Sequence, residues 1–133
     1  MGDTDAATAY AATQPGFGGT YIDGDVLVVL FTEDVKRHEH ALRTVVEHPE
    51  HLVVRATSRT VADVRESAAR VRHRVLGSGD ATDVSSVSVA VHAGEFVVEV
   101  GLDPHTDERE EQVRDAARPD PVVVRPQPHP RTL

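Results

Sequence analysis

The amino-acid sequence predicts an α/β (α+β) domain, a two-layer sandwich of a mainly antiparallel sheet and about three helices with a ferredoxin-like β-α-β-β-α-β core. Three observations predict it. Val84 to Leu102 reads as two alternating apolar segments on either side of Ala93-Gly94. Val61, Val64, Ala68, Val71 and Val75 recur at 3-4-3-4 spacing, which places them on one face of a helix. Strand-like and helix-like stretches then follow one another as β-β-α-β-α-β-β-α-β, whose last six elements match a split βαβ pattern.

Composition bounds the rest. At 133 residues the chain has room for one domain, placed at 17–125 between a flexible N-terminal tail (1–16) and a Pro-rich extended tail (126–133). The formal net charge of −8 argues against nucleic acid, because affinity for phosphate needs a Lys/Arg surface. It suits a neutral or basic partner. There are no cysteines, which removes disulfides, thiol catalysis and Cys-based zinc sites. No apolar run is long enough to span a membrane, and none is expected to. The N-terminus lacks the basic and apolar regions of a signal peptide. A cytoplasmic location is expected if the chain is complete, and an extracellular one if a signal has been removed.

Taken in order, Met1 to Gln14 shows no stable period and reads as a loose tail, after which Phe17 anchors against the body. Thr20 to Ile22 and Val26 to Phe31 flank Asp23-Gly24, a hairpin turn. The second strand, VLVVLF, is apolar on both faces and reads as central. Thr32 or Asp34 caps a helix to about Glu47, with Val35, His38, Leu42, Val45 and Val46 on one stripe. His48-Pro49 ends it, and His51 to Ala56 forms a strand.

Thr60 to Asp63 resembles a capping box opening the helix through Val75, and Gly77 closes it. In the hairpin that follows, Val91 faces Phe96, Val89 faces Val98 and Val87 faces Val100, while Ser88 and Glu99 share the opposite, polar face. Alanine disfavours positive φ, so a four-residue loop from His92 to Glu95 is expected at its tip. Asp103-Pro104 opens a third helix over 104–117. Pro121 to Arg125 is a short last strand. No internal repeat is visible in the sequence.

Candidate chemistry is thin. His38-Glu39-His40 and His48-Pro49-Glu50-His51 are the densest histidine cluster. His38 and His40 lie two apart on a helix and point to different sides, and no third ligand accompanies His48 and His51. Ser78 lacks the strand-turn-helix elbow of a hydrolase serine and reads as part of a helix exit. Gly16 to Gly19 opens no helix and makes no phosphate loop. Glu110-Glu111 reads as a solvated helix face. No catalytic residue, metal ligand or cofactor is therefore predicted, and the chain reads as non-enzymatic.

Binding features are better defined. The two-sided strand, the short last strand and the Pro-rich tail are parts used for strand addition to a partner. The candidate partner-binding residues are Val26, Val28, Leu30, Val122, Val124 and Pro128.

Gly18-Gly19-Thr20-Tyr21-Ile22-Asp23, the strand Val26 to Thr32, Leu52 to Arg55, Thr60 to Val64 and the hairpin Val84–Val91 with Phe96–Val100 stand in a familiar order. Over residues 17–102 the chain resembles the pro-region of secreted bacterial chymotrypsin-like proteases of the alpha-lytic protease and streptogrisin type. The hairpin departs from that pattern, with His92-Ala93-Gly94-Glu95 where Asp and Asn are usual. No protease domain follows within the 133 residues. The resemblance implies a folding catalyst and inhibitor acting in trans on a serine protease, with its C-terminal tail in the active cleft. The other expectation is a small intracellular regulatory or ligand-binding domain, homodimeric through its sheet.

Overall fold

A computed structural model describes residues 2–77 and 83–128. It is α+β, and the chain divides into two compact units, Met1–Ala62 and Asp63–Leu133. In the first unit α1 (Gly2–Ala11) precedes a hairpin of β1 (Phe17–Asp23) and β2 (Val26–Phe31). Then come α2 (Val35–Val45), a 3-10 turn over Pro49–His51 and β3 (Leu52–Ala56). The second unit holds α3 (Val61–Leu76), whose first two residues precede the boundary. A hairpin of β4 (Val84–His92) and β5 (Glu95–Leu102), α4 (Asp107–Ala117) and β6 (Val123–Pro126) follow.

Both units thus run α-β-β-α-β, an internal repeat of structure that the sequence does not display. In each, the hairpin is antiparallel and the third strand returns parallel to the second, giving the orders β1-β2-β3 and β4-β5-β6. The helix between second and third strands has 11 residues in both. The reason lies in chain connectivity. A tight hairpin pairs locally, and a helical crossover of this length brings the next strand back beside the one it left, parallel to it. Each hairpin therefore collects its own third strand, so two mixed sheets form where one mainly antiparallel sheet was expected.

The first core lies between α1, α2 and one sheet face, and joins Ala7, Ala11, Leu42 and Val46 to Leu27, Val29, Phe31, Leu52 and Val54. The second sets Val64, Ala68, Val71 and Val75 of α3, and Val113 and Ala117 of α4, on Val87, Val98, Val100, Leu102 and Val124. The valine stripe of α3 and the pairs Val91–Phe96, Val89–Val98 and Val87–Val100 occur as the patterning predicts.

Several local expectations change. The N-terminal stretch is a helix, not a loose tail, so the described residues hold four α-helices where about three were expected. Its buried residues are only Ala7 and Ala11, so it carries almost no amphipathic signal. At the hairpin tip the loop has two residues, with His92 paired to Glu95 and positive φ at both Ala93 (52°) and Gly94 (81°). That is the sign pattern of a type I′ turn, which follows the twist of the strands even where alanine must adopt it. Thr106, and not Asp103, caps α4, its hydroxyl accepting from the Arg109 N–H at 3.1 Å. Asp34 precedes α2 with a left-handed backbone and no side-chain cap. Glu99, placed by alternation on the polar face of the hairpin, is buried. The Ser78-Gly79-Asp80 loop and the tail beyond Pro128 lie outside the described residues.

Candidate functional site

The first unit carries an open cleft of about 210 Å³, lined by Asp3, Thr4, Ile22, Asp25, Leu27, Val46, His48, His51 and Leu52. Three local structures build it. The β1–β2 turn supplies Ile22 and Asp25, because a two-residue loop between Asp23 and Val26 projects both beside the strand ends. The stretch after α2 supplies His48 and His51, since Pro49 stops the helix and bends the chain through a 3-10 turn. The first turn of α1 supplies Asp3 and Thr4. Leu27, Val46 and Leu52 form an apolar floor and are nearly buried, whereas Ile22 is 56% exposed at the rim.

The polar groups are held differently. Asp3 is fixed: its two carboxylate oxygens accept the backbone N–H groups of Glu47 and His48 at 2.8 and 2.9 Å. The Glu47 bond foremost, with the His48 bond and ring beside it, holds its carboxyl below the usual carboxylate range. Asp25 is exposed, with His51 Nδ1 3.7 Å from its carboxylate. The His48 and His51 rings stand edge to face with centroids 6.3 Å apart. Among the described residues, no group of three or more His, Asp or Glu side chains is placed to hold a metal ion.

His38 lies against Tyr10 of α1. It is fully buried and stacks on Phe31 with centroids 3.8 Å apart and planes inclined by 12°. Its Nδ1 is 3.1 Å from the Tyr10 hydroxyl, while Nε2 is buried without a hydrogen-bond partner. Burial first, and Arg37 next, push its pKa below the ordinary value of 6.5. His40, two residues on, is exposed, as the helical spacing requires.

The sequence-predicted partner residues fare unequally. Val28 and Leu30 are fully buried and Val124 nearly so. Val26 and Val122 are half-buried, and Pro128 is exposed. The start of the C-terminal tail is tied down: Gln127 donates its N–H to the Leu102 carbonyl, and its own carbonyl and side-chain oxygen accept from Ser85 and Ser86. His48 and His51, weighed and set aside as metal ligands, do converge on one cleft. Sequence reasoning missed Asp3, Ile22 and Asp25 as their companions. Asp3 was legible as an acid in a helical first turn, but only once residues 2–11 are read as a helix.

No family model matches the chain, and no curated protein matches it either. No helix among the described residues is long and apolar enough to cross a membrane.

Proposed function

We propose that the chain is a non-enzymatic protein-binding module and that the cleft of its first unit receives an apolar side chain of the partner. The observation that carries this reading is size and lining together. A volume of about 210 Å³ falls below the ~300–1,000 Å³ usual for small-molecule sites, so one anchoring side chain fits better than a whole cofactor. An apolar floor with an exposed isoleucine at its rim is what an anchor residue requires. The Asp3 and Asp25 carboxylates, on a chain of net charge −8, favour a basic group flanking that anchor.

The resemblance to protease pro-regions supplies the class of partner, a chymotrypsin-like serine protease held or inhibited in trans. Val26 beside the β1–β2 turn, Val122 and Pro128 are the remaining accessible contacts. Binding of such proteases to the full chain is measurable by calorimetry and by inhibition of peptide cleavage. Ile22→Asp is expected to weaken the complex at least ~10-fold, and removal of residues 126–133 to relieve inhibition. Absence of binding to any such protease, or an unchanged affinity for Ile22→Asp, rejects the reading. The convergence of His48 and His51 favours a second reading, a small regulatory domain whose cleft takes a ligand or a second copy. A concentration-dependent dimer dissolved by Ile22→Asp would establish the latter.

A further inference from the structure

We propose that α1 is a pH-sensitive lid: protonation of His38 undocks it, and the wall that Asp3 and Thr4 give the cleft is lost with it. The geometry leaves no place for an imidazolium. His38 is fully buried against Phe31, and its Nε2 has no acceptor. The groups facing it offer little compensation. From α1 there is the Tyr10 hydroxyl, from β2 the Phe31 ring, and from its own helix Arg37, which has the wrong sign. Among the described residues Asp34 and Glu33 oppose the charge, and both are exposed. A proton therefore enters by way of an opening of the structure around the ring.

Helix α1 is the element that gives way. It has ten residues, too few to persist as a helix in water without docking, and its buried side chains are two alanines. Among the described residues its other ties are the partly buried Tyr10 ring on the core and its contact with His38, a 3.4 Å contact between Thr8 and Thr20, and the Asp3 carboxylate on the Glu47 and His48 amides. Above pH 6.5 the histidine is neutral whether α1 is docked or not. Below it, only the undocked form binds the proton, so docking weakens as the pH falls.

The motion belongs to the chain with its cleft empty. Its effect on binding rests on the reading of the cleft as the partner site. Hydrogen exchange and NMR of the histidine rings in the full chain, between pH 7.5 and 5.5, test it. Exchange of the α1 amides, corrected for intrinsic rate, is expected to rise up to ~10-fold per pH unit below 6.5. His38→Phe, which keeps the stack on Phe31 and cannot titrate, should abolish that rise. Equal protection at both pH values, or a rise that survives His38→Phe, overturns the proposal. If that variant does not fold, the unmodified chain decides, because the His38 ring must titrate with the same midpoint as α1 exchange and a different midpoint refutes the lid. Protease binding measured in parallel separates the two readings. An α1 transition without any partner binding at either pH refutes only the binding function, and loss of binding with α1 still docked refutes only the lid.

Discussion

Arg74 of α3 donates to the carboxylate of Asp120 at 2.8 Å, joining a helix to the α4–β6 connection 46 positions away. Arg70 binds both oxygens of the same carboxylate, and the Ser67 hydroxyl donates to one of them at 2.8 Å. Asp120 is almost wholly enclosed by these donors, its side chain 8% exposed.

Asp120→Ala should therefore cost about 1.5–3 kcal/mol, the range for hydrogen bonds to a charged group. The Arg70 hydrogen bond first, then Ser67 and Arg74, hold the Asp120 carboxyl well below its ordinary value of 3.8. A folded-state pKa below the unfolded one gives stability that is complete above about pH 3.8 and is lost as the pH falls further. Urea melts at pH 6 and pH 3 check this: the gap between parent and variant should narrow at pH 3.

Ala93→Asn should stabilise the chain. Ala93 has φ of 52° in the β4–β5 turn, where an L-residue with Cβ pays about 1 kcal/mol and Asn is favoured. The expected gain is about 1 kcal/mol, read as a higher midpoint in denaturant with unchanged slope. A loss of stability would show that the turn is not of the I′ kind.

Gly101→Ala should loosen the C-terminal strand. A Cβ at Gly101 would lie 2.7 Å from the side-chain oxygens of Gln127 and Ser86 and 2.8 Å from that of Ser85. Those groups hold the tail, so the methyl is expected to displace Gln127 at a cost of about 1–3 kcal/mol. Faster hydrogen exchange at the Gln127 amide would report it.

Legibility followed the size of the side chains. The α3 stripe and the β4–β5 register were readable because large apolar residues mark one face, and a one-residue slip would turn every valine outward. Helix α1 was not, because alanines bury without raising the periodic signal. The repeat was hidden for a similar reason. Leu52-Val53-Val54-Arg55-Ala56 and Val122-Val123-Val124-Arg125-Pro126 are alike, yet the hairpins and helices before them share topology and not residues.

Glu99 shows the limit most clearly. Alternation assigned it to a polar face, and it does point away from the valines. The structure nonetheless buries it, 2.6 Å from His92 Nε2 and 3.6 Å from Arg125 Nη1, neighbours brought by the hairpin and by β6. The cleft arises the same way, from Asp3, Ile22, Asp25, His48 and His51 on three separate segments.

By itself the sequence determined the class of structure, the valine hairpin, the α3 face and the exclusion of thiol chemistry, because each depends on residues close in the chain or on composition. Tertiary structure alone decided the division into two units, the parallel return of β3 and β6, the docking of α1 over His38 and the assembly of the cleft. Those depend on which distant surfaces meet, and periodicity records only that a face is apolar, not which partner covers it.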